Sequence, residues 1–259
     1  MEEIYLVGGR LNMVLTLPDG QATDKSGRVY PDSFCQEHEI PLIKCRSIND
    51  ETAIKSVKER QLDWLFVIGW SQIVGPEMLA TPTQGCIGMH PTLLPDGRGR
   101  ASIPWAILRG LESTGVTMFK LDEGVDTGDV LGQVAFPLSE NSTATDVYGK
   151  VLDAHRQLIR DHWEALACGL LKGVPQDSAA ATYWPGRRPE DGEILRSMTV
   201  NEALTLVRAT THPYPGAFWR GRDHVIRVWS ATSSADSSGC TFRCKDGWIR
   251  AIEFKDESI

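Results

Sequence analysis

Leu62 to Gly69, LDWLFVIG, is an almost unbroken apolar run of strand length, the form taken by a parallel strand covered on both faces. A stretch long enough for one short helix follows, Gly75 to Ala80, and then a second run of small and apolar residues from Gly85 to His90. This alternation confines the chain to α/β folds built around a mostly parallel sheet. The 259 residues suffice for one large core with a small appendage, or for two modest cores.

Upstream, Arg10 to Leu17 reads as a buried strand ending at Pro18-Asp19-Gly20, and residues 19 to 31 as a mobile polar loop. Tyr30 to Glu39 is expected to be helical, Ile40 to Lys44 a short strand, and Asn49 to Arg60 an amphipathic helix capped by Asn49 or Asp50. Downstream, the pattern predicts a helix over Ile103 to Leu111, strands over Gly115 to Leu121 and Val130 to Phe136, and a long helix from Thr143 to Leu171. Pairing in this part of the sheet suits antiparallel strands. Thr143 caps the long helix, and Val147, Val151, Leu158, Ile159, Leu166 and Leu170 form its apolar stripe. The domain division this implies is 1–172 for the α/β part, 173–198 for a Gly-, Pro- and Ser-rich linker, and 199–259 for a small β-rich, OB-like domain.

A net charge of −7 and a pI near 5.4 disfavour a broad electrostatic grip on nucleic-acid phosphates, although a local patch such as Arg187-Arg188 stays compatible with the composition. No apolar run approaches the ~20 residues that span a bilayer, and no charged start with an apolar centre opens the chain, so a cytoplasmic location is expected. The six cysteines are scattered. Cys240 and Cys244 lack a second Cys or His pair nearby, and His155 and His162 lie a heptad apart, so no metal site is expected. No GxGxxG follows an early strand, which sets dinucleotide binding aside.

The chemistry concentrates between Gly85 and Leu131. His90 ends a strand and a Pro-flanked, Gly- and Arg-rich loop follows it, which is where a sheet exposes reactive groups. Some thirty residues on, the run Val116 to Leu121 breaks at an acidic, glycine-punctuated turn holding Asp122, Glu123, Asp126 and Asp129. Two roles are open for this pair: His90 and Asp126 as an acid-base couple, or a strand-end histidine bonded to a carbonyl beside a carboxylate that only shapes its turn.

The blocks His90-Pro91-Thr92-Leu93-Leu94-Pro95, Arg98-Gly99-Arg100, Pro104-Trp105-Ala106-Ile107, Gly115-Val116-Thr117 and Asp122-Glu123-Gly124-Val125-Asp126-Thr127-Gly128-Asp129 resemble the core of the 10-formyltetrahydrofolate-dependent formyltransferases. That family includes methionyl-tRNA formyltransferase, sugar-nucleotide N-formyltransferases and the formylating domain of the aminoarabinose lipid A pathway. The resemblance runs from about Arg10 to the far end. It implies a Rossmann-like fold with His90 and Asp126 as catalytic residues and 10-formyltetrahydrofolate as co-substrate. The pterin ring would be walled by Trp70, Ser71 and Ile73 together with Leu121, Glu123 and Val125. Trp70 serves equally well as a core aromatic. Thr92, Arg98, Arg100 and Tyr214 are candidate substrate contacts, with Arg187, Arg188 and His212 beside them, although Arg98 and Arg100 suit a role in steadying the acidic turn at least as well.

Two departures from the family stand out. Its pattern carries Asn two residues before the histidine, completing an oxyanion site, where this chain has Gly88. A backbone N–H, an ordered water or a hydroxyl such as that of Thr92 would have to replace it, and Gly88 would leave room for a larger nucleophile or a water. The family also begins with a strand and a whole helix. Residues 2 to 8 therefore read as the last turns of that helix with the opening strand missing, through either a shortened version or a start codon assigned too late, and self-association is expected.

The function expected is N-formylation of a small amine, an amino sugar nucleotide or a natural-product amine. Methionyl-tRNA is the alternative acceptor, and a folate-binding protein with weak or no transfer is the third reading.

Overall fold

The structure, a computed structural model, describes residues 1–21 and 26–258; residues 22–25, within the expected polar loop, lie outside the described residues. The first element is a short helix, α1 (Glu2–Leu6). Glu3 is buried in it and its carboxylate meets Arg160 at 3.0 Å. Two three-residue strands, β1 (Val14–Thr16) and β2 (Leu42–Lys44), pair in parallel, and α2 (Asp32–Glu37) lies between them in sequence. The amphipathic stretch becomes α3 (Glu51–Glu59), which buries Ala53, Ile54 and Val57 against Met13, Ile48 and Met78. Asp50 stands at its N-cap. Asn49, the other expected cap, turns away to donate from Nδ2 to the Ile73 carbonyl and to accept from the Gly75 N–H.

β3 (Trp64–Val67) and β4 (Gly85–His90) form the parallel pair, separated by the four-residue helix α4 (Pro76–Leu79). The expectation of a strand covered on both faces is corrected for β3. All four of its residues are half-buried and Ile68, next along, is 43% exposed. The reason is topological: β3 stands at one edge of a four-stranded sheet ordered β3-β4-β6-β7, where β6 is Ser113–Lys120 and β7 is Val130–Pro137. β4 and β6 run antiparallel, with Gly88 opposite Phe119 and His90 opposite Thr117. Between them in sequence lie β5 (Arg98–Gly99) and the helix α5 (Ser102–Leu108). The long helix is α6 (Ala144–Ala167), preceded by Thr143, whose N–H and hydroxyl donate to the Asp146 carboxylate. These bonds hold the Asp146 carboxyl below the usual carboxylate range.

The remainder comprises β8 (Tyr183–Trp184), paired with β5, then α7 (Val200–Thr210) and four antiparallel strands. These are β9 (Ala217–Arg220), β10 (His224–Ser234), β11 (Thr241–Arg243) and β12 (Trp248–Ser258), in the order β11-β12-β10-β9. A bulge after Val228 bends β10, as curled β domains require. α7 is closed at its start by a reciprocal cap between Thr199 and Glu202, and its Leu206 and Val207 pack on Val228, Phe242 and Ile249.

Two compact units result, and they interleave along the chain: Met1–Arg98, Gly115–Ala135 and Val151–Tyr183 make one, and Gly99–Thr114, Phe136–Lys150 and Trp184–Ile259 the other. A reading along the chain divides it into consecutive blocks instead. The difference has a packing cause, since Leu108 of α5 lies against the core that α7 builds with the antiparallel strands.

Candidate active site

His90 is the last residue of β4, 8% exposed, at the carboxyl end of the parallel pair. Its Nε2 lies 2.8 Å from the carbonyl oxygen of Gly97. A carbonyl can only accept, so Nε2 carries the hydrogen and Nδ1 is left with the lone pair in the neutral ring. Nδ1 faces Asp126, 3.7 Å from Oδ2, and the two side chains are 10% and 18% exposed. The pair is thus adjacent, nearly buried and still reached by solvent, with the acceptor nitrogen turned toward the carboxylate.

The loop that supplies the Gly97 carbonyl is tied to β6. The Thr117 hydroxyl donates to the Thr92 carbonyl at 2.7 Å and accepts from the Leu94 N–H and the Gln133 amide, each at 2.9 Å. The Gln133 amide also donates to the Leu94 carbonyl.

Asp126 sits in a turn braced from several sides. Asp122 Oδ1 accepts from the Gly124 N–H and the Thr127 hydroxyl. A β-carbon at Gly128 would overlap the Lys120 carbonyl oxygen, so only glycine fits there. Asp126 itself is left-handed at φ 55°, a region that Asp tolerates better than most residues. Gln176, which sequence reasoning passed over, donates from Nε2 to the carbonyls of both Asp126 (2.9 Å) and Gly128 (2.7 Å). It lies in a stretch rich in Gly, Pro and Ser with no local pattern to mark it.

Gly88 does not leave room. A β-carbon built there would come within 2.8 Å of Leu121 and 2.9 Å of Phe119, so those two side chains fill the place expected to be open. Thr92 has the property that a replacement donor needs: it is 2% exposed and its hydroxyl has no partner among the described residues.

Arg98 is 2% exposed, and its guanidinium donates to Gln176 Oε1 and to the Tyr183 hydroxyl. Through Gln176 these bonds link Arg98 to the main chain of the acidic turn. Arg100 is exposed and Tyr214 half-buried, both in the second unit. Tyr214 rests against Tyr148 at 5.7 Å, and burial pushes its hydroxyl pKa up. His212 stacks on Trp229 and pairs with Glu253, Arg187 covers the Trp105 ring, and Arg188 begins a one-turn helix with Asp191 accepting from its N–H.

The residues expected to wall a pterin lie on two segments of the first unit. Trp70 is half-buried and, like Leu121, packs against the core that includes Val74 and Met78, and its indole N–H donates to Gln72. Ser71 is exposed, as are Ile73 (68%), Glu123 and Val125 (47%). Leu121 donates its N–H to the Cys86 carbonyl.

Other chemistries find little support in the same region. Burial pushes the Cys86 thiol up to about 12, which removes it as a thiolate nucleophile. His155 is driven by burial to about 4 and stays neutral. Among the described residues no three His, Cys, Asp or Glu side chains converge as a metal ion would need, and no helix is long and apolar enough to cross a membrane.

A family model described as formyl transferase matches residues 10–162. The chain is also 31% identical, over its whole length and 88% of the relative's, to a methionyl-tRNA formyltransferase of Ruminiclostridium cellulolyticum. This chain belongs to the formyl transferase family.

Solved structures place the fold in the same group. A methionyl-tRNA formyltransferase from Clostridium thermocellum superposes with a TM-score of 0.67 at 22% identity, over 95% of this chain and 97% of the other. WlaRD, a sugar 3N-formyl transferase solved in the presence of dTDP and 5-N-formyl-THF, gives 0.62 at 19% identity, over 95% and 86%. The formyltransferase is therefore an N-formylating enzyme on an α/β unit, with a curled antiparallel unit beside it in sequence.

Proposed function

We propose that the chain moves the formyl group of 10-formyltetrahydrofolate onto the primary amine of a small acceptor, an amino sugar nucleotide or a natural-product amine. The observation that carries this reading is the His90–Asp126 pair, with Nδ1 at 3.7 Å from the carboxylate and Nε2 already spent on Gly97. The neutral amine attacks the formyl carbon, and the carbonyl oxygen becomes an oxyanion while the nitrogen becomes cationic. His90 Nδ1 takes a proton from that nitrogen, and Asp126 stabilises the imidazolium that forms. Collapse restores the carbonyl and breaks the bond to N10, which receives the proton from His90. Help of this kind contributes about 10²–10⁴ in rate.

The Thr92 hydroxyl is the donor we assign to the oxyanion, since Gly88 has no side chain to give and Thr92 is buried without a partner among the described residues. Trp70, Ser71 and Ile73 on one side and Leu121, Glu123 and Val125 on the other wall the pterin. The exposure of Ile73 and Val125, unusual for such apolar side chains, supports a ring-shaped ligand between the two segments. Arg100 and Tyr214 are assigned to the acceptor. The cytoplasm, where reduced folates are handled, suits the reaction.

The net charge of −7 favours a small acceptor over a polyanionic one. Methionyl-tRNA is the second reading, favoured by the full-length match to a methionyl-tRNA formyltransferase. Incubation of the protein with 10-formyltetrahydrofolate and either a panel of amino-sugar nucleotides or charged initiator tRNA separates the two. A gain of one formyl group on an amino sugar, read by mass spectrometry, supports the first; formylation of the methionyl-tRNA alone overturns it.

A further inference from the structure

We propose that Gln176 is a positioning residue for the transfer, holding the Asp126 turn at the distance from His90 that the reaction uses. The proposal rests on the His90–Asp126 reading above. It starts from the partners of one side chain: the Gln176 amide nitrogen donates to the Asp126 carbonyl at 2.9 Å and the Gly128 carbonyl at 2.7 Å, while its oxygen accepts from Arg98 Nη2 at 2.8 Å and Nε at 3.2 Å. Two carbonyls require the NH₂ end and a guanidinium requires the oxygen end, so the amide has one orientation only. Arg98 is in turn fixed, 2% exposed, with Nη1 donating to the Tyr183 hydroxyl at 2.9 Å.

Arg98 directly follows Gly97, whose carbonyl holds Nε2 of His90. One backbone step therefore locates both partners: the Gly97 carbonyl sets the imidazole, and the Arg98 side chain, acting through Gln176, sets the turn that carries the carboxylate. The turn needs such a hold because Asp126 is in the left-handed region, which is unfavourable for a residue other than glycine. Gln176 bonds the main chain and not the Asp126 carboxylate, so its action is on place rather than on charge. Of the common side chains of this length, only a primary amide accepts from a guanidinium and donates to two carbonyls at once.

Gln176→Glu tests this cleanly, because a carboxylate keeps and strengthens the link to Arg98 but cannot donate to either carbonyl. Turnover is measured with 10-formyltetrahydrofolate and whichever acceptor, amino-sugar nucleotide or charged initiator tRNA, the wild type formylates. Hydrogen exchange of the peptide spanning residues 122–129 is followed in the same variants. We expect Q176E to lower kcat by about tenfold or more, to leave KM for the folate within about twofold and the melting temperature near wild type, and to speed exchange in that peptide. In the Asp126→Ala background the same change should cost nothing further, since Gln176 acts through that residue.

Wild-type kcat and unchanged exchange in Q176E would overturn the proposal, as would an undiminished loss in the D126A background. Should Q176E melt early, Gln176→Met, which keeps volume without donors or acceptors, must give the same exchange result or the proposal falls. A D126A enzyme at full rate would instead remove the catalytic reading on which the proposal stands. The exchange measurement then still reports whether Gln176 holds the turn.

Discussion

The two segments assigned to the walls of the pterin pocket are built differently. The turn at 122–129 is braced from within by Asp122, Thr127 and Gly128 and from outside by Gln176. The loop at 69–75 is held by as many hydrogen bonds, but they tie it outward to its neighbours. Asn49 clasps it at Ile73 and Gly75, Gln72 reaches back to the Ile48 N–H and the Arg46 carbonyl, and Ile68 and Ile73 stay exposed. Internal bracing thus lies where a carboxylate must stand within a fraction of an ångström of its place, and the wall that only has to cover a ring is anchored to its neighbours and left exposed.

Five substitutions probe that contrast. The largest effect is expected at the chemistry itself: His90→Ala and Asp126→Ala should each lower turnover by about a hundredfold or more, measured as formylated product per enzyme, with the melting temperature little changed. Equal rates in both variants and the wild type would erase the distinction between the two segments. Gly128→Ala should come next. Its new methyl group meets the Lys120 carbonyl, so the turn must open, and a loss of about ten- to a hundredfold in kcat with a lower melting temperature is expected.

For the 69–75 loop, Asn49→Ala should raise KM for the folate by about three- to tenfold while kcat stays within about twofold, consistent with about 0.5 kcal/mol for each of the two lost bonds. A fall in kcat instead would show that the 69–75 loop is as exacting as the acidic turn. The smallest effect on rate is expected at Gly88→Asn. The added side chain must displace Phe119 and Leu121, so thermal unfolding should report a loss of about 1–3 kcal/mol, with transfer retained.

What could be read in the sequence follows from how local each cause is. The apolar runs that became β3 and β4, the histidine at the end of β4, the acidic turn and the capped helices α6 and α7 are written in consecutive residues. Their periodicity, caps and turn residues need no distant partner. Gln176 was illegible because its partners are 48 to 78 residues away and its own neighbourhood has the composition of a linker. Asn49 reads as a cap because capping is what Asn does before an amphipathic run; its bonds to Ile73 and Gly75 depend on a loop that the local pattern does not mention. Gly88 looks like vacant space on paper, since the strand that closes it, β6, arrives from 31 residues further on. The half-exposed state of β3 was also hidden, because a strand's own residues do not say whether it stands at the centre or the edge of its sheet.

The alternation of the two units along the chain has a consequence for how such an enzyme can be dissected or evolve. A fragment starting at Trp184 would carry the antiparallel strands and α7 but leave behind α5, whose Leu108 closes part of their core. No single cut in the gene separates the parts, so a recombination event that swaps the carboxyl-terminal half also discards pieces of its foundation. Chimaeras among relatives should keep their solubility only when the 99–114 and 136–150 segments travel with the tail.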